Sequence, residues 1–118
     1  FIIGYRQMRN DPLHRLILTR ILRVINLVFF GVYVKDVNVP FRLMCFNVLK
    51  DSMKTIKSQT KIPNVFLSLF AFKYFRCHTE IVKHKKRITG KVVLVNLNLI
   101  KFCLKSFFEL IIFRVTKF

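Results

Sequence analysis

The apolar and polar positions fall into runs of two periods, and the breaks between the runs mark the elements. Phe1 to Tyr5 begins with apolar residues that suit the end of a strand feeding Arg6. Asp11-Pro12 is a helix-entry signal, because a carboxylate can cap orphan amides and proline fits a first turn. The helix is predicted from Pro12 to about Phe30, with Gly31 as its stop. Val32 to Asn38, rich in β-branched and aromatic residues, predicts a short strand that Pro40 ends. Asn47 to Ile56 predicts a second helix, with Phe46, Leu49, Met53 and Ile56 near helical spacing and Lys50, Lys54 and Lys57 outside. After the polar connector from Lys57 to Lys61, Pro63 opens a helix over Asn64 to about Phe75. Its Phe66, Leu67, Leu69, Phe70 and Phe72 leave little polar face, which marks a core helix. Thr79 to His84 predicts another strand, and Val93 to Phe113 a last helix.

Two helices carry patterns that bear on function. On the first, Arg15, Thr19, Arg23 and Asn26 recur at three and four residues and line one narrow stripe, while Leu16, Ile17, Ile21, Val24, Leu27 and Val28 cover much of the rest. Spacing alone fits a solvated face; a guanidinium and a hydroxyl on one stripe can also hold a phosphate. On the last helix Asn98, Lys101, Lys105 and Glu109 share a stripe, with Phe102, Phe107, Leu110 and Ile111 elsewhere. A Phe-rich basic amphipathic helix suits a membrane interface, and equally the surface of another domain half.

Composition narrows the classes. A chain of 118 residues holds one small domain or part of a larger one. Hydrophobic content of 53% excludes a disordered chain. The formal charge of +17 implies an anionic partner: nucleic acid, an anionic membrane surface or phosphorylated substrates. The charge-free runs Val24 to Val34 and Ile62 to Phe72 fall short of the roughly 18–20 apolar residues of a membrane span. No secretory signal is visible either. Together these predict a peripheral protein on the cytoplasmic side. Cys45, Cys77 and Cys103 are too widely spaced for a metal or redox pair and suit buried, reduced thiols.

The chemistry is concentrated around Asp36. It is one of only five acidic residues among 22 lysines and arginines, with Lys35 adjacent and Arg42 six positions on. Such a field favours a charged carboxylate. An Asp, a short spacer and then Phe41-Arg42-Leu43, preceded by an apolar helix ending in Phe30-Gly31, resembles family 2 glycosyltransferases. The branch it most resembles transfers sugars from nucleotide donors to polyprenyl or dolichyl phosphate. The resemblance is collinear from Gly4-Tyr5-Arg6 to the last helix, and it covers only the C-terminal part of such an enzyme.

The resemblance implies an α/β fold: the C-terminal portion of a GT-A glycosyltransferase, residues 1–118 forming its acceptor side and the nucleotide-binding half being absent. As a fragment it would be predominantly helical, with short strands and amphipathic interface helices. Asp36 would stand near the sugar-transfer centre, as base or as positioning group. Arg15 and Thr19 match an Arg and a hydroxyl residue four positions apart that grip the lipid phosphate, and Arg6 matches an earlier phosphate-side Arg. Arg87, Gly90 and Lys91 match an Arg-x-x-Gly-Lys loop that closes over the donor diphosphate, with Arg42 and Gly90 supporting the loops. Pro40 stands where a Gly usually precedes Phe-Arg, and Val92-Val93 where small hydroxyl residues are usual. The implied partners are a nucleotide sugar, a polyprenyl phosphate, an anionic membrane surface and the N-terminal half of the enzyme. The implied cofactor is a divalent metal, Mg or Mn, held by an Asp-x-Asp motif outside this chain. The fragment by itself is expected to be inactive. The alternative is a basic module without chemistry that binds nucleic acid or an anionic membrane. The core-like spacing of the Phe residues argues against nucleic acid.

Overall fold

A computed structural model describes residues 1–7, 11–56, 59–83, 85, 88 and 97–117. The protein is α/β, with four helices and a three-stranded mixed sheet among these residues. It divides into two units, Phe1–His84 and Lys85–Phe118.

The first unit is built on β1 (Ile2–Arg6), α1 (Leu13–Phe30), β2 (Arg42–Leu43), α2 (Phe46–Thr55), α3 (Pro63–Tyr74) and β3 (His78–Val82). The strand order is β2-β1-β3. β1 runs parallel to β3, with Ile2 opposite His78 and Arg6 opposite Val82, and antiparallel to β2, with Ile2 opposite Leu43. Gly4 sits in a close-packed part of the sheet. A Cβ there would come within 3.1 Å of Phe41 and of Val82, so only glycine fits without displacing them.

α1 begins at a backbone cap on Pro12, whose carbonyl accepts from the amides of Arg15 (3.0 Å) and Leu16 (3.3 Å). The cap position falls on Pro12, one residue after Asp11, and Pro12 brings no side-chain cap. Gly31 ends it in the left-handed region at φ 65°, where its amide bonds back to the Leu27 carbonyl at 2.9 Å.

The core takes Ile3 from β1, Val34, Val37 and Val39 from the connection after α1, Val48 from α2, and Val65, Leu69 and Ala71 from α3. α3 is the most buried helix of this unit and opens with proline in its first turn, as its apolar run suggests. α2 spans nearly the expected residues but turns a different face inward. Val48 and Ser52 are buried, whereas Phe46 and Met53 are exposed. α2 packs against α3, and of these side chains the smaller are buried and the larger left outside.

The strand expected over Val32 to Asn38 is absent. Lys35 to Asn38 form a turn instead, in which the Val39 amide donates to the Asp36 carbonyl at 3.3 Å. A strand needs a neighbouring strand edge to take its carbonyls. Here side chains take them: the Arg42 Nη2 and Ser68 Oγ donate to the Val37 carbonyl at 3.0 and 2.8 Å, and Arg42 Nε to the Val39 carbonyl at 2.9 Å.

The second unit contributes α4 (Leu97–Lys117). The expected start at Val93 lies outside the described residues, and the helix runs past Phe113 to Lys117. Leu97, Ile100, Leu104, Phe108, Ile112 and Val115 are exposed along it, with Lys101, Lys105 and Arg114 also exposed. No helix among the described residues is long and apolar enough to cross a membrane.

Candidate functional site

The site forms where the end of β1 meets the turn after α1. Arg6 leaves the sheet at the last position of β1 and reaches Asp36, thirty residues on, side-on with two bonds. Its Nε donates to Oδ2 at 2.6 Å and its Nη2 to Oδ1 at 2.9 Å, the fork geometry of a strong charge-assisted pair. The Asp36 side chain is 2% exposed and that of Arg6 18%. The carboxylate is therefore the sealed end of the pair and the guanidinium the end within reach of solvent. The hydrogen bond to Asp36 raises Arg6 above the ordinary arginine value, against the opposing effect of burial.

Asp36 is held from both sides through its neighbours' carbonyls. Arg23 on α1 donates from Nη2 to the Lys35 carbonyl, and its guanidinium lies 5.9 Å from the Tyr33 ring. Arg42, read as loop support, and Ser68 fix the Val37 carbonyl on the other side. Burial pulls the Arg42 guanidinium down to about 10, and the Asp36 charge opposes that shift. Arg42 thus remains cationic at neutral pH and adds a second positive charge facing Asp36.

Arg15 and Thr19 lie along the same side of α1, both half-buried. The Thr19 hydroxyl donates to the Arg15 carbonyl one turn back at 2.9 Å, so toward any ligand it offers its lone pairs. The stripe they begin is not a solvated face. It descends through half-buried Arg23 to Asn26, which is 1% exposed. Exposure falls instead on Leu13, Ile17, Ile21, Val24 and Val28, spaced along the opposite face. α1 is an inverted amphipathic helix: its polar stripe faces the protein and its apolar stripe faces out. Asn26 is buried with neither amide atom hydrogen-bonded, and Arg23 Nε is likewise buried and unpartnered.

Arg87, Gly90 and Lys91, the expected donor-diphosphate loop, lie outside the described residues. Among the described residues no group of three or more His, Cys, Asp or Glu side chains could hold a metal ion. The cysteines are free, and Cys45 is exposed rather than buried, because it stands at the outer entry of α2.

Arg23 and Ser68 were not singled out as site-forming residues in the sequence. A signal for Ser68 existed: a hydroxyl in the middle of the apolar run from Val65 to Phe72 is buried and needs a partner, and it donates to the Val37 and Asn64 carbonyls. Arg23 gave none beyond its place on the stripe. No protein-family model, no curated protein and no solved structure matches the chain.

Proposed function

We propose that this chain is the acceptor-side part of a family 2 glycosyltransferase that moves a sugar from a nucleotide donor to a polyprenyl phosphate at a membrane surface. The observation that carries the reading is the Arg6–Asp36 pair. The resemblance selects both residues from motifs thirty positions apart, and they meet in one bidentate contact.

The inverted helix α1 supports the membrane part of the reading. An apolar stripe of Leu13, Ile17, Ile21, Val24 and Val28 on the outside can enter the acyl boundary. The chain's charge of +17 favours anionic headgroups, and exposed Arg20 lies beside the stripe. In this reading Arg6 and Arg15 supply the cationic side chains for the acceptor phosphate. Holding the acceptor phosphate beside the reacting sugar supplies proximity, and the guanidinium charges offset the phosphate's own. A phosphate acceptor is already ionised, so the step needs no proton acceptor from this chain. The described residues do not fit a divalent metal, which in this reading belongs to the nucleotide-binding half.

The test combines the purified chain with nucleotide sugars, a polyprenyl phosphate and a divalent cation, then adds the N-terminal half of a related enzyme. No turnover by the chain alone and turnover after complementation is the expected result. Turnover by the chain alone, or none after complementation with a folded half, overturns it.

A further inference from the structure

We infer that the inner stripe of α1 holds a buried water between Asn26 and Arg23, which bridges the two side chains. The site belongs to α1 and does not depend on the reaction proposed above.

Three orphan atoms lead there. Asn26 is 1% exposed, and its Oδ1 and Nδ2 are both buried without a hydrogen-bond partner among the described residues. Exchanging the two amide atoms changes nothing, because neither position meets a partner. Arg23 stands three positions earlier, the spacing that sets side chains next to each other on one helix face. Its Nε is buried and unpartnered as well. A buried polar group without a partner has given up its bonds to solvent and gained none in return. Three such atoms on adjacent side chains call for a ligand.

The chemistry of the three atoms selects it. Oδ1 accepts, whereas Nδ2 and Nε donate. An anion would satisfy the donors and repel Oδ1; a cation would satisfy Oδ1 and meet the guanidinium charge. Water both donates and accepts, so one molecule can donate to Oδ1 and accept from Nε, and a second can accept from Nδ2. The frame around the atoms is fixed. The Asn26 carbonyl accepts from the Val32 amide at 3.4 Å where Gly31 closes the helix. The Arg23 guanidinium donates from Nη2 to the Lys35 carbonyl and lies 5.9 Å from the Tyr33 ring. A water on Nε therefore extends the hold on the turn that carries Asp36, from Asn26 through Arg23 to the carbonyl just before it.

Water contacts are read from nuclear Overhauser and rotating-frame spectra of the nitrogen-labelled chain in a mild non-ionic detergent. Cross-peaks at the water frequency are expected from both the Asn26 side-chain amide and the Arg23 Nε proton. Opposite signs in the two spectra separate a held water from proton exchange. Asn26→Leu keeps most of the volume and removes the amide. It is expected to abolish the Arg23 peak and to lower the urea midpoint, because Nε then loses its partner. In an Arg23→Met background the same change is expected to lower the midpoint by less, since the two side chains share the water. Circular dichroism confirms that each variant is folded. Absence of the peaks from the unaltered chain overturns the bridge, as does an Arg23 peak that persists in Asn26→Leu. So does a midpoint that rises in Asn26→Leu, the response of an unpaired amide, or an equal loss in both backgrounds.

Discussion

Removing Arg6 is expected to cost more stability than removing Asp36, although both changes break the same pair. In Arg6→Met the carboxylate stays behind at 2% exposure and loses two charge-assisted bonds of 2.6 and 2.9 Å. Breaking a buried pair from one side costs about 3–5 kcal/mol. The positive charge of Arg42 acts on Asp36 and offsets part of that cost, which places the expectation at the lower end, about 3 kcal/mol. In Asp36→Asn the group left behind is a guanidinium with 18% exposure, which can turn toward water while the amide oxygen still accepts one bond. A loss of about 1–1.5 kcal/mol is expected there. Domain stabilities are on the order of 5–15 kcal/mol, so Arg6→Met remains mostly folded but shifts its midpoint clearly. Urea titration followed by far-ultraviolet circular dichroism, in a mild non-ionic detergent that covers the apolar stripe of α1, reads both values. A loss under about 1 kcal/mol for Arg6→Met, the value of a surface pair, would refute the buried-carboxylate argument. So would the reverse order of the two variants.

Gly31→Ala is expected to destabilise by about 1 kcal/mol in the same titration: nothing lies within 4 Å of a Cβ there, so the cost is the φ of 65° alone. Ser68→Ala should cost about 1–2 kcal/mol through the Val37 carbonyl, which keeps its bond from Arg42. Ile21→Lys with Val24→Lys places charge in the exposed apolar stripe and is expected to reduce co-sedimentation with anionic vesicles in high salt, where apolar insertion is what remains. Equal binding would remove α1 from the membrane contact. Burial pushes the Cys77 and Cys103 thiols up, so at pH 7.5 their thiolate fraction falls, and iodoacetamide should modify exposed Cys45 first. Mass spectrometry of the alkylated peptides gives the order.

What the sequence by itself determined is the set of elements whose signals are local. Pro63 and Gly31 act through their own backbone limits, so the opening of α3 and the end of α1 stood within a residue of their places. The parallel strands β1 and β3 were legible from short apolar and β-branched runs, though not which strand paired with which. Tertiary structure decided the rest. Val32 to Asn38 carries strand propensity, yet the Val37 carbonyl is taken by Arg42 and Ser68, and among the described residues no strand pairs with this stretch. Periodicity marked the two faces of α1 and α2 but not which one turns inward. That choice depends on the partner surface, and on α1 it fell to the polar stripe. The spacing of Arg6 and Asp36 said nothing of their pairing. Thirty residues of chain had to fold before one edge of a guanidinium met a sealed carboxylate, and that meeting defines the site.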